Sequence, residues 1–512
     1  MSGGQFASTP SLKTGLFSTT ADYPPYVRPV LATVMLVAVV YYAVMSFHWP
    51  LVWDGTVLHY INFLIAHGFV PYRDVHDMNM PGAYLLDSWQ MHIFGPGDVA
   101  WRFYEYFLIG CLLAAMMVIA LPYDWLAGLV AGVLFTVVHA AEGPINSAQR
   151  DEAMTVLLLA GYALLFQSLR TRRPLLLLPF GVVMGLAIGV KPTVGPLVVL
   201  LGLIALYVLW KRGEPMLASF LYTVGGIMLP VAIILYYLLH QHALRDFLDL
   251  SSRLTPYYAG LMKEPLSFLL TALIPHGLHI VLLAGVVLAV LNWNWVRDWE
   301  RWALLLGVAG GAFSFLVQGK GYTYQRYPFV AFALLWVAIE FTRALRRRDW
   351  VRWAGLAVLL FCALRVVAFL PHIHRSDGSE DAYMRALEGD LNALGGTRAL
   401  QGQVQCLDMV DGCLGALYHL DLVQNTGFTG DTLFFVRDHA PAVEFYRRIF
   451  WDDVHRAPPR VFVLSDEWFN WPRGFDKVDH WPEFAEYLNK RYTLSETRRF
   501  KDSAYRIYLL KQ

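Results

Sequence analysis

Charge is what this 512-residue chain has least of. Only 16% of its residues are charged, against about 25% in ordinary soluble domains. So low a share excludes a soluble globular protein. The net charge of +1 shows no basic excess, and no basic patch interleaves with aromatic residues, so no nucleic-acid partner is expected. Cysteine is scarce as well, and four residues do not make a disulfide framework. Cys111 and Cys362 fall in apolar stretches and read as packing residues. Cys406 and Cys413 lie in a polar tail, where a disulfide or two free thiols remain equally open, the outcome depending on an oxidising compartment. Repeats of solenoid type are also missing.

Apolar residues are plentiful: 56% of the chain is hydrophobic and the mean hydropathy is +0.43. Runs near the length that crosses ~30 Å of hydrocarbon cover residues 29–48, 103–121, 126–141, 153–169, 174–190 and 194–210. Others cover 218–239, 266–291, 302–317, 327–342 and 353–371, about eleven spans on the hydropathy criterion. The first follows a polar leader and lacks a small-residue cleavage site, so it reads as a retained helix. With the N-terminus in the cytoplasm, the loops "LRTRRP", "WKRGEP", "NWVRDWERW" and "TRALRRRDWVR" all fall inside, as the excess of Lys and Arg in cytoplasmic loops requires.

The expected architecture is a polytopic α-helical membrane protein with a small C-terminal extracytoplasmic α/β domain. Residues 1–28 form a cytoplasmic segment, 29–371 the membrane domain with a first outer loop at 49–101, and 372–512 the outer domain. In that tail, polar helix-like pieces alternate with the β-rich runs "QVQCLDMV", "RVFVLS" and "YRIYLL", a pattern of normal domain size.

Orientation accounts for the inner arginines but not for the mixed charges outside: Asp54, Arg73, Asp74, His76, Asp77, Arg150, Asp151, Glu152, Lys191, Lys320 and Arg326. Ionisable groups at a bilayer are costly and face a cavity or one another, so this set points to a polar cavity opening outward. Asp54 opens "DGTVLHYINFLIAHG", where it reads equally as a general base or as a helix cap. Asp151 and Glu152 suit the first turn of a helix through its dipole. Lys191 interrupts an apolar stretch, tolerated there by snorkelling. "QGKGYTYQRYPF" sets Lys320 and Arg326 among three tyrosines, which suits either a phosphate beside a sugar or lipid or an interfacial aromatic belt.

Together, Asp54 after the first span, "HGFVPYRDVHDMNMPGAYLL", the Asp/Glu pair and "GLAIGVKPT" resemble the GT-C superfamily. The likeness is to its branch of protein O-mannosyltransferases and lipid A aminoarabinose transferases, over residues 29–371. A family pattern covers Gly68, Pro71, Tyr72, Asp74, Asp77 and Pro81. Where the family has Lys-Pro-Pro, this chain has Asn79, Met80 and Pro81, so Arg73 or Lys191 must replace the lysine. The resemblance implies a membrane glycosyltransferase with a polyprenyl-phosphate sugar donor, inverting displacement, and Asp54 as catalytic base. Asp74, Asp77, Asp151 and Glu152 are the candidates for a second acidic, acceptor-side group. Arg73, Lys191, Lys320 and Arg326 are the candidates for the donor phosphate.

The expected partners are the lipid-linked donor, membrane lipids, and a glycan, lipid or protein acceptor, in the cytoplasmic (inner) membrane of a bacterium with the active site and tail outside. No cofactor is required, although Asp54, Asp151 and Glu152 together have the hard oxygen donors that hold a divalent cation. Two rivals stay open. One is a GT-C enzyme of another branch, an arabinofuranosyltransferase or a metal-dependent oligosaccharide transferase. The other is a lipid or glycan transporter or flippase, although transporters gather ionisable groups near mid-membrane.

Overall fold

The computed structural model describes residues 27–292, 296, 298–347, 349–369, 371, 381–467 and 472–512. The expected leader and the junction at 372–380 therefore lie outside the described residues. Among the described residues, fifteen α-helices lie between residues 27 and 369: α1 (Val27–Ser46), α2 (Asp54–Ala66), α3 (Pro81–Phe94), α4 (Asp98–Ala120), α5 (Trp125–Glu142), α6 (Arg150–Thr171), α7 (Leu177–Val190), α8 (Gly195–Arg212), α9 (Met216–His240), α10 (Leu244–Gly260), α11 (Leu266–Ala272), α12 (His279–Leu291), α13 (Trp299–Gln318), α14 (Tyr327–Leu345) and α15 (Trp350–Phe369). Among the described residues, nine apolar helices are long enough to cross a membrane, and two shorter ones, Pro174–Val190 and His279–Leu291, join them. This is the architecture of a multi-pass membrane protein.

The expected continuous span at 266–291 is corrected. Pro275 and Gly277, the latter with φ +84°, interrupt it between α11 and α12. Proline lacks the helical N–H, and the Leu278 N–H turns back to the Pro275 carbonyl at 3.1 Å.

Helix α14 is the central post, buried along nearly its whole length, while α9 carries many exposed Leu, Val and Ile side chains, as a lipid-facing helix does. Close packing relies on missing side chains. A Cβ on Gly181 of α7 would come 2.2 Å from the Thr223 carbonyl oxygen, and one on Gly226 of α9 would come 2.2 Å from that of Leu178. Small residues at such crossings let helix backbones approach.

The tail follows with α16 (Ala382–Ala393), α17 (Gly396–Leu400), β1 (Val404–Leu407), α18 (Cys413–His419), α19 (Pro441–Arg456), β2 (Val461–Ser465), α20 (Pro482–Arg491), β3 (Tyr492–Arg499) and β4 (Ala504–Leu510). The sheet order is β1-β2-β4-β3, with β1 parallel to β2 (Cys406 opposite Val463) and the other pairs antiparallel. Three strands fall on the β-rich runs seen in the sequence. Strand β3 was not visible there, because "YTLSETRR" is an exposed edge strand without apolar alternation. Cys406 and Cys413 form a disulfide.

The tail does not stand apart from the helices. Its apolar core includes Tyr60, Ile61 and Leu64 of α2 and Tyr72 and Val75 of the first outer loop. The Tyr60 hydroxyl donates to the Leu422 carbonyl at 2.9 Å and accepts from the Gln424 N–H at 2.8 Å.

Candidate active site

The polar ends of α5, α6, α7 and α14 meet at one end of the bundle, with α2 and α3 laid across it. Helix α2 begins abruptly. Its N-cap, Trp53, has φ 57° and makes no side-chain capping bond. The Leu51 N–H is tied to Asp98 Oδ1 at 2.7 Å, and the Thr56 hydroxyl to the Leu51 carbonyl at 2.9 Å. Gly55 fits under Trp101, where a Cβ would meet the indole at 2.9 Å. Asn62 donates to Asp87 Oδ2 at 2.8 Å, and buried His59 lies 3.0 Å from Asp87 Oδ1, which ties α2 to α3. Helix α3 in turn abuts α7, since a Cβ on Gly82 would lie 2.4 Å from the Gly189 carbonyl.

This framework points the Asp54 carboxylate across to α6 and to the 3-10 turn Thr323–Arg326 that leads into α14, rather than back along its own helix. Asp54 Oδ2 accepts from Arg150 Nη2 at 3.1 Å and from the Tyr324 hydroxyl at 3.2 Å. Among the described residues Oδ1 accepts no hydrogen bond, so one oxygen remains open to an incoming hydroxyl. Beside this pair, Lys191 Nζ donates to both oxygens of Asp151 at 2.7 Å. Asp77 Oδ2 accepts from the Tyr84 hydroxyl at 2.7 Å and the Asn79 N–H at 2.9 Å.

Tyr258 of α10 closes one side. Burial, and then the charges of Asp54 and Asp77 against the opposing Arg150, push its phenol up to about 12. Over its ring, at 4.8 Å, sits the Lys320 ammonium, presented by a turn in which Gly319 and Gly321 both have positive φ. Lys320 donates to the Tyr258 and Leu261 carbonyls. Burial, and next the neighbouring Lys263, bring Lys320 down to about 8.

Several residues expected at the cavity are elsewhere. Arg73 and Asp74 pair with each other at 3.4 Å, half exposed, and the Asp74 carbonyl packs so tightly on Gly427 that a Cβ there would lie 1.5 Å away. The His76 ring lies tilted against Phe428, centroids 4.3 Å apart, and its backbone N–H donates to the Gly427 carbonyl at 3.1 Å. Burial lowers its imidazole to about 4, against the pull of Asp74, so it is neutral. Much of the charged first-loop segment is thus a seat for the tail domain. Arg326 pairs with Glu142 and the Ala272 carbonyl.

Glu152 faces the helix core, where its Oε2 accepts the Ala148 N–H at 2.8 Å. Among the described residues, the three side chains spaced to share a cation are Glu105, His139 and Glu152, not Asp54, Asp151 and Glu152. Asp54 and Asp151 are each taken up by a basic residue instead. Sequence reasoning missed Tyr258, Tyr324 as a partner of Asp54, and Lys263. Lys263 had a signal, as a lone lysine in an outer loop, but its approach to Lys320 depends on the turn at 319–321.

No protein-family model matches the chain, and no curated protein sequence does. Solved structures match its fold. ArnT from Cupriavidus metallidurans bound to undecaprenyl phosphate superimposes with a TM-score of 0.60 at 12% identity, covering 94% of this chain and 98% of that one. The oligosaccharyltransferase of Archaeoglobus fulgidus, tethered to an acceptor peptide containing the NVT sequon, gives 0.50 at 11% identity, over 95% and 74%. Both are GT-C superfamily glycosyltransferases, and this chain shares their fold.

Proposed function

We propose that this chain is a membrane glycosyltransferase that moves a sugar from a polyprenyl-phosphate donor to a hydroxyl on the extracytoplasmic side, with inversion. The observation that carries this reading is the Asp54 carboxylate. Arg150 and Tyr324 hold it through one oxygen, and its other oxygen is open, in a GT-C fold. In the proposed step Asp54 accepts the acceptor hydroxyl's proton, as a general base within hydrogen-bond reach does. The acceptor oxygen bonds to the anomeric carbon while the bond from that carbon to the phosphate oxygen breaks. The phosphate departs with the electron pair.

A departing phosphate gains negative charge and needs positive charge that carboxylates have not already neutralised. Arg150, Lys191 and Arg326 each face a carboxylate within the site, and Arg73 faces Asp74. Lys320 and Lys263 have none among the described residues. Lys320, which lies over the Tyr258 ring and whose proton affinity burial and then neighbouring Lys263 lower, suits the donor phosphate together with Lys263, with Lys191 adjusting Asp151 alongside. The proposed location is a bacterial inner membrane with site and tail outside.

The test is to incubate the purified full-length protein with a panel of polyprenyl-phosphate sugars and mixed glycan, lipid and peptide acceptors. Mass spectrometry then follows release of polyprenyl phosphate. Release from at least one donor, dependent on acceptor, is expected. Intact donors throughout, with donor binding absent, would overturn the reading.

A further inference from the structure

Below the site, among α1, α4, α5 and α6, lies a buried constellation that the proposed reaction does not use. Glu105, His139 and Glu152 are fully buried, and each offers a ligand atom within 4.8 Å of the others. His139 Nε2 lies 2.6 Å from Glu105 Oε1 and 3.9 Å from Glu152 Oε2. The Tyr42 hydroxyl, from α1, bonds the same Glu105 oxygen.

The orientation of the imidazole is set from its far side. The Tyr327 hydroxyl donates to Glu142 Oε2 at 3.0 Å, so towards His139 Nδ1, 2.7 Å away, it acts as acceptor. Nδ1 therefore carries a proton, and the Nε2 position faces the two carboxylates. An outer partner that fixes the tautomer in this way is a regular feature of metal-binding histidines. A second observation is independent of the first. Glu152 Oε1 is buried and has no hydrogen-bond partner, and a buried carboxylate oxygen left in that state is costly. Glu105, in contrast, is already met on Oε2 by Arg102.

We propose that Glu105, His139 and Glu152, with Tyr42 as fourth ligand, form a structural zinc site that ties α1, α4, α5 and α6 together. One nitrogen and three oxygens in a closed set of four suit zinc, whose bonds of about 2.0–2.2 Å put tetrahedral ligands roughly 3.3–3.6 Å apart. That separation falls between the 2.6 and 3.9 Å of the pairs around His139 and inside the 4.8 Å within which the three ligand atoms lie, so side-chain shifts of about 1 Å, Tyr42 moving off Glu105, complete the site. Charge balances when the ion displaces the Tyr42 proton. Arg102 offsets Glu105, and the dication offsets Glu152 and the phenolate. The ion would lie beneath the turn that carries Arg150 and Asp151. It touches no reacting atom and does not depend on the proposed reaction.

The test uses the full-length protein in detergent, stripped with chelator, incubated with zinc chloride, desalted and analysed for metal by mass spectrometry. About one zinc per chain is expected, with Glu152→Gln and His139→Gln falling to background and Asp151→Asn keeping its zinc. Cobalt-loaded wild type should show the visible absorption of a tetrahedral N/O site, a readout that needs no variant to fold. A monodisperse wild type that keeps no zinc overturns the proposal. So does zinc retained by both folded ligand variants, or lost equally from Asp151→Asn, or a cobalt spectrum of octahedral type.

Discussion

Replacing Asp54 with asparagine separates its chemical role from its structural one. The change keeps shape and removes one charge. Asp54 and Arg150 are 3.1 Å apart, with side chains 20% and 22% exposed. The pair therefore lies between an exposed ion pair worth under ~1 kcal/mol and a buried one whose disruption costs about 3–5 kcal/mol. The amide oxygen still accepts from Tyr324 or Arg150, so a loss of stability of about 1–2 kcal/mol is expected. Turnover should fall much further. Removing a general base typically costs ~10²–10⁴-fold, or about 3–5 kcal/mol of barrier. Tyr324→Phe is the internal comparison. It removes one neutral hydrogen bond to the same oxygen, worth about 1 kcal/mol, and should slow transfer only roughly fivefold. The assay measures donor binding, melting temperature and single-turnover transfer on the same preparations. Collapse of transfer with binding and fold retained is the expected result. If Asp54→Asn transfers within about threefold of wild type, far inside the range for base removal, Asp54 is not the base, and Asp77 or Asp151 takes its place as candidate.

Lys263→Ala and Lys320→Ala should each raise the donor KM and also lower turnover, because the lysines hold the phosphate before the step and meet the charge it gains during it. With Lys320 lowered to about 8, its ammonium is present below that value and lost above it. Donor affinity should thus fall as pH rises through about 8, and Lys320→Arg should abolish that fall; an unchanged pH profile in this variant removes Lys320 from the phosphate site. The disulfide Cys406–Cys413 closes a short loop worth about 2.5 kcal/mol in the chain-entropy account, so reduction should lower the melting temperature of the tail. In intact cells both thiols should resist alkylation before reduction, as they would in an oxidising outer compartment. Free thiols there, reached only after the membrane is permeabilised, would put the tail inside.

Hydropathy and loop charge were enough to read the membrane helices, because a span must be both apolar and about 20 residues long, and both properties are local. The break at Pro275 is local too, but the flanking residues stay apolar, so hydropathy alone does not show it. The three buried strands of the tail were legible from their β-rich runs, whereas β3 was not, since an edge strand is fixed by its partner β4 rather than by its own pattern. Asp54 could be singled out as a lone carboxylate, but whether it capped α2 or faced outward depended on Arg150 of α6 and Tyr324 of the turn before α14, contributed from 96 and 270 positions away. The same limit applied to the cations. Lys191, Lys320 and Arg326 look alike in sequence, and only packing shows that Asp151 and Glu142 neutralise two of them and leave Lys320 beside Lys263. Asp151 and Glu152, adjacent in the chain, turn to different surroundings because successive residues on a helix point about 100° apart. One meets Lys191, and the other enters the core with Glu105 and His139. Residue type and position set which groups could carry charge at the membrane, and the meeting of distant helix ends decided which of those charges remained free to act.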